Sequence, residues 1–294
     1  MDKQKRAYLY ALSAILLWST IASAFKITLQ YIDFYQILII SSITSLICLF
    51  VVLLWQNKLN LLLQLNRKQI WRAAIRGFLN PFLYYLVLLK AYTLLKAQEA
   101  GTLNYIWPIT LVLLSIPLLK QKIGWKSIIA IFISFFGIIV ISTEGHLSSL
   151  EFREPLGVFL AVISSVFWAL YWILNIRDKT DDVLKLFLNF LFGAAFVVFY
   201  ILIFEEFDFP EFNGFAGAVY IGLFEMGLTY IFWLLALRNS ANTARVSNLV
   251  FLSPFISLII IRFFVGEKIL VATIAGLALI IGGILLQQFS NRNK

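Results

Sequence analysis

The stretch GTLNYIWPITLVLLSIPLLKQKIGW, residues 101–125, decides the fold. It lies in an apolar run long enough to cross a bilayer, yet it carries Asn104, Tyr105, Trp107 and Pro108. Proline has no N–H and breaks a helix interior, so its position asks for a reason. A membrane offers one, because neighbouring helices satisfy the groups that a proline frees.

The rest of the chain agrees with a membrane setting. Of 294 residues, 61% are hydrophobic and only 13% charged, against about 25% charged in soluble domains. The net charge of +9 is scattered between apolar runs. That pattern marks cytoplasmic loops and argues against a nucleic-acid partner. Cys48 is the single cysteine, so no intramolecular disulfide can form, and the lone His146 falls in a loop. Nothing has the spacing of a metal-ligand set, and no cofactor is expected. The apolar run after MDKQKR has no small-residue cleavage site and is expected to remain as a span.

A span needs about 20 mostly apolar residues. Ten are expected, at 7–30, 34–56, 70–94, 97–119, 124–143, 155–176, 184–204, 214–238, 241–264 and 269–288. With the N-terminus in the cytoplasm, 17 of the 24 Lys and Arg residues fall in inner segments and only Arg153 and Lys268 in outer loops. The positive-inside rule then puts both termini in the cytoplasm. The outer segment EEFDFPEF, 205–212, is acidic. Lys26, Lys90 and Lys96 are expected to snorkel to the outer surface.

The chain repeats itself. Pro108 precedes Gly137 by 29 residues and Pro254 precedes Gly283 by 29. Gln121-Lys122-Ile123 matches Glu267-Lys268-Ile269 at the same offset, while Gly77, Tyr85 and Ala91 match Gly222, Tyr230 and Ala236 one residue out of that register. Trp18 corresponds to Trp168. The expected fold is therefore all-α integral membrane, with ten transmembrane helices as two inverted five-helix repeats, 1–148 and 149–294. An odd number of spans per half inverts the second half. Such inverted repeats build secondary transporters with a substrate site near the midplane. Pro108 and Pro254 then kink helices 4 and 9 and act as hinges.

The sequence resembles the EamA branch of the drug/metabolite transporter superfamily, through LWST (17–20), the paired halves and GEKI…GLALIIGGILL (266–286). LLWST together with EAGTLNYIWP (99–108) is most similar to the bacterial aromatic amino-acid exporters. It departs from the pattern at Gln121, where Glu is frequent, and at LNPFLYY (79–85) in helix 3. The resemblance implies a bacterial inner-membrane protein with helices 1, 3, 4, 6, 8 and 9 around a central cavity. It also implies export of small metabolites, amino acids first, by alternating access.

Candidate cavity residues are the aromatics Trp18, Tyr84, Tyr105, Trp107, Trp168, Tyr171, Trp172 and Tyr230, which lie deeper than the interfacial Trp55, Trp71 and Trp125. Buried packing would place them equally well. Glu225, about 18 Å into helix 8, is either a protonated helix anchor, a contact for a substrate amine or a proton site. Asn80 is its repeat counterpart. Asn104 and Asn248 join the candidates, with interhelical hydrogen bonding as the plainer role. Expected partners are the lipid bilayer, a small-molecule substrate and, under the proton reading, protons. A nucleotide-sugar or drug-like cargo is the alternative within this fold, although bulky anions call for a basic cavity. An intramembrane lipid enzyme would need a catalytic constellation that the spans lack. A subunit without transport would have little loop surface for docking.

Overall fold

In hydrocarbon every backbone N–H and C=O must pair inside its own segment, which favours helix throughout. The computed structural model describes residues 3–119, 125–146, 154–240 and 249–292, and no strand occurs among them. The first five helices are α1 (Lys3–Thr28), α2 (Phe34–Trp55), α3 (Arg67–Gly77), α4 (Tyr84–Leu94) and α5 (Ala97–Asn104). Next come α6 (Trp107–Leu119), α7 (Trp125–Ser142), α8 (Pro155–Arg177) and α9 (Asp182–Phe204). The described remainder holds α10 (Phe212–Ile221), α11 (Leu228–Asn239), α12 (Ser253–Ile260) and α13 (Val271–Arg292).

Among the described residues, six helical segments are long and apolar enough to cross a membrane: Lys3–Thr28, Phe34–Trp55, Ala97–Leu118, Pro155–Asn175, Asp182–Phe204 and Phe212–Ala236. Shorter apolar helices cover Ile128–Ser142, Leu249–Val265 and Val271–Leu286. Contacts between their ends define two faces. On the face where α1 begins, the near face, Lys58 pairs with Asp181, Arg76 with Asp178, and Arg177 donates to the Leu118 carbonyl. On the far face, Lys96 pairs with Glu144 and Gln98 meets Glu267.

Two long segments are interrupted by π-type turns, Phe78–Leu83 between α3 and α4 and Gly222–Gly227 between α10 and α11. Asn80 leaves helical geometry at φ −151°, ψ 123°, as expected of a residue held before proline. The glycines that open these turns, Gly77 and Gly222, each lie against a neighbouring helix. A Cβ on Gly77 would sit 2.5 Å from the Asn189 carbonyl oxygen of α9, and one on Gly222 2.6 Å from that of Ser41 in α2. No larger residue fits either contact. Likewise α7 packs on α13 through Gly137, whose added Cβ would lie 2.7 Å from the Gly276 oxygen, and Gly283, at 2.6 Å from the Ala130 oxygen. Small residues let backbones approach where packing, not water, drives association.

The prolines correct one expectation. Pro108 is not inside a helix: the chain turns at Tyr105-Ile106, and Pro108 is the second residue of α6. Pro254 is likewise second in α12, after a 3₁₀ turn at Leu249–Leu252. The first turn of a helix has no use for that N–H, so proline starts these helices without cost. Lys26 also differs from expectation: it turns inward, donating to the carbonyls of Tyr92 at 2.9 Å and Leu95 at 2.7 Å, at the end of α4. Arg76 and Lys185, counted among the basic residues of the inner segments, are buried at 2% and 7% exposure. Trp55, Trp71 and Trp125 are exposed, as interfacial residues should be.

Candidate functional site

The breaks in the helices aim side chains at one internal space. The π turn carries Glu225 to its wall, and an extra residue per turn redirects side chains in this way at many functional sites. The irregular backbone is satisfied locally: Ser45 Oγ donates to the Gly222 carbonyl at 2.7 Å, and the Thr229 hydroxyl donates to that of Phe224. The Tyr105-Ile106 turn places Asn104, Tyr105 and Trp107 on the opposite wall. The resulting central cavity has a volume of about 130 Å³. Ligand sites usually measure about 300–1,000 Å³, so a bulky occupant requires side chains to move.

Seven of the twelve candidate side chains line this cavity: Trp18, Tyr84, Asn104, Tyr105, Trp107, Trp168 and Glu225. Tyr85 donates to Glu225 Oε1 at 2.9 Å, and Trp18 Nε1 donates to the Glu225 carbonyl at 3.4 Å. Asn104 accepts from Tyr84 OH at 3.1 Å and donates to Ser164 Oγ at 2.8 Å. Tyr105 OH donates to the Val250 carbonyl at 3.0 Å, so the carbonyl freed near Pro254 is already occupied. Among the described residues, Glu225 is the one acidic side chain in the lining, and neither lysine nor arginine lines it. Trp107 and Trp168 both border the cavity, and Trp168 lies with its ring centroid 4.8 Å from that of Tyr84.

Three candidates fall elsewhere. Tyr171, Trp172 and Tyr230 line a second cavity, of about 220 Å³, toward the near face. Trp18 borders both spaces. Between them lies an aromatic layer in which Tyr230 meets Trp18 at 6.4 Å and Trp168 at 6.1 Å between ring centroids. Asn80 lines neither cavity and is fully buried. Asn248 lies outside the described residues. Sequence reasoning missed Phe25, Tyr92, Gln98 and Ser253 in the central wall and Trp233, Asp182 and Lys185 in the second. Trp233 shares the depth argument used for the other aromatics and was open to it. Gln98 and Tyr92 sit beside helix ends, where sequence alone reads interface.

A helical membrane protein that gathers polar side chains around an internal cavity has the build of a membrane transporter. The chain belongs to the EamA-like transporter family, whose model matches residues 5–143 and again 155–287. It is 24% identical to an uncharacterized transporter of Clostridium kluyveri over 98% of this chain and 94% of that one. It is also 24% identical to the uncharacterized transporter YvbV of Bacillus subtilis, over 76% and 73% of the two chains. A solved crystal structure shares the fold, with a TM-score of 0.68, 19% identity and 98% coverage of both chains.

Proposed function

We propose that this transporter exports amino acids, aromatic and other apolar ones first, by alternating access through the central cavity. One observation carries the reading: among the described residues a single carboxylate, Glu225, faces an aromatic-walled space, and no basic side chain joins that lining. A carboxylate there is expensive unless it meets a positive group, and a substrate ammonium supplies one. The indole and phenol rings suit an apolar or aromatic side chain. The same charge balance disfavours nucleotide sugars and other bulky anions, and it leaves organic amines of drug type as the second reading.

The architecture in this proposal is ten spans in two inverted halves, 1–148 and 149–294. The long apolar segments, the shorter ones and the kinked Arg67–Leu94 segment together support that number. Repeat-related residues also make matching contacts: Gly77 and Gly222 on α9 and α2, Gly137 and Gly283 across α7 and α13. Pro108 and Pro254 start the helices that swing, serving as hinges. Both termini lie in the cytoplasm of a bacterial plasma membrane, so the near face is the inner one. Outside labelling of a cysteine placed at Lys58 by an impermeant reagent would invert that assignment.

The deciding measurement is uptake of a labelled amino-acid panel by the purified protein in liposomes, with and without a pH gradient. Glu225→Gln keeps shape and polarity but removes the charge. Substrate contact predicts at least about a tenfold loss of apparent affinity under both conditions, the scale of one charge-assisted hydrogen bond. A loss confined to gradient-driven accumulation would reassign Glu225 to proton coupling. Wild-type transport at every pH would remove it from the site.

A further inference from the structure

The second cavity shares its aromatic ceiling with the central one, yet its chemistry differs. Lys185, 7% exposed, borders it beside Asp182, at 3.2 Å. The lysine ammonium is held by the Asn175 carbonyl at 3.2 Å, the Asp178 carbonyl at 3.3 Å and Asp182. These distances are all at or beyond the long end of N–H···O geometry, about 2.7–3.2 Å, so a solute carboxylate can compete for this charge. Trp172 Nε1, on the cavity lining, is buried with no hydrogen-bond partner among the described residues, and Asn175 Oδ1 and the Tyr230 hydroxyl are buried without a well-formed hydrogen bond, near the Tyr171 and Tyr85 hydroxyls respectively. Buried polar groups are ordinarily paired, and each that is not carries a desolvation cost of about 1–3 kcal/mol. Three indoles, Trp18, Trp172 and Trp233, supply apolar wall.

We infer that this near-face cavity is a second binding site, separate from the one at Glu225, for a small zwitterion with an apolar side chain. The inference rests on the amino-acid reading above and adds a place where the solute waits before it passes the aromatic layer. The solute carboxylate meets Lys185 and the Trp172 N–H. Its ammonium meets Asp182 and Asn175 Oδ1, with indole faces adding cation–π attraction. The apolar side chain lies against the indoles. Both signs of charge are therefore read here, whereas the central cavity reads only the positive one.

That difference makes the two sites separable in one experiment on the full-length protein in lipid nanodiscs. The probe is the diazirine analogue of leucine, compared with its methyl ester and its N-acetyl derivative, with crosslinked peptides located by mass spectrometry. The free zwitterion should label two groups of peptides, 171–186 with 230–234 and 101–107 with 253–258. The methyl ester keeps the ammonium, so it should keep the second group and lose the first by at least about tenfold. The N-acetyl derivative should lose both. Lys185→Met should lower the first group alone, and the ester comparison needs no variant to fold. First-group labelling that the ester leaves unchanged would overturn the zwitterion site. Labelling confined to 101–107 and 253–258 would overturn this inference while leaving the amino-acid reading intact. Labelling of neither group by the free zwitterion would overturn both.

Discussion

At the near face α3 is tied to the α8–α9 connection by Arg76 and Asp178, 2.5 Å apart with side chains only 3% and 4% exposed. At the far face the ion pair, Lys96 with Glu144 at 2.6 Å, is more open, its side chains 41% and 16% exposed, and most other ties run from side chains to backbone. Glu267 accepts from Ala97 N–H at 2.8 Å, and Gln98 donates to the Lys268 carbonyl at 2.9 Å and accepts from Leu270 N–H at 3.0 Å. Gln36 and Tyr35 of α2 similarly donate to the carbonyls of Asp208 and Glu206. One face thus relies on a sealed ion pair, and the other on a partly exposed one and several dispersed hydrogen bonds. The lesson is about how each closure fails. An ion pair out of water fails badly when one partner goes, because the other charge is left buried. Dispersed bonds fail by small steps.

The largest expected effect follows from that asymmetry. Asp178→Ala should destabilise the protein by about 3–5 kcal/mol, measured by thermal unfolding in detergent, and Arg76→Met in the same background should recover much of the loss. The recovery is what separates an uncompensated charge from lost packing. The pair also has an acid signature. Burial pushes the Asp178 carboxyl up, but hydrogen bonds from the Thr180 hydroxyl and N–H and from Arg76 outweigh it and hold the group at about 2, below its ordinary 3.8. A depressed carboxyl contributes fully above about pH 4, and that contribution is lost as pH falls through about 2. Asp178→Asn should lack that acid step.

Gln98→Ala tests the far face. It removes the partners of Lys268 O, Leu270 N–H and Thr273 Oγ1 together. The expected cost is about 2 kcal/mol, since Gln98, 1% exposed, leaves neutral groups unpaired where Asp178→Ala leaves a charge. A loss equal to that of Asp178→Ala would erase the contrast between the faces. The smallest effect belongs to Lys58→Gln, whose pair with Asp181 at 2.7 Å is 25% and 23% exposed. It should change stability by about 0–1 kcal/mol and disappear in high salt.

Much of the fold was legible in the residues. The expected spans 34–56, 155–176 and 184–204 correspond closely to Phe34–Trp55, Pro155–Arg177 and Asp182–Phe204, because apolar length is a strong signal. Pro108 and Pro254 marked real breaks, though as helix starts and not as interior kinks. The candidate site was only partly legible. A helix that is apolar all round carries no periodicity to say which face meets the cavity. Seven candidates therefore gather at the central cavity, while Tyr171, Trp172 and Tyr230 line another space and Asn80 neither. The π turns were hidden for a related reason: one extra residue per turn shifts the phase of everything after it without altering composition.

The Tyr105–Val250 hydrogen bond, at 3.0 Å, joins the turn before Pro108 to the 3₁₀ turn before Pro254. Under the proposed hinge motion the two turns are not independent pivots. A swing of α6 about 105–106 would either drag the 249–252 segment with it or break that bond first, as in a two-bar linkage with a pinned crosspiece. Tyr105→Phe, which removes only the pin, should let each arm move alone.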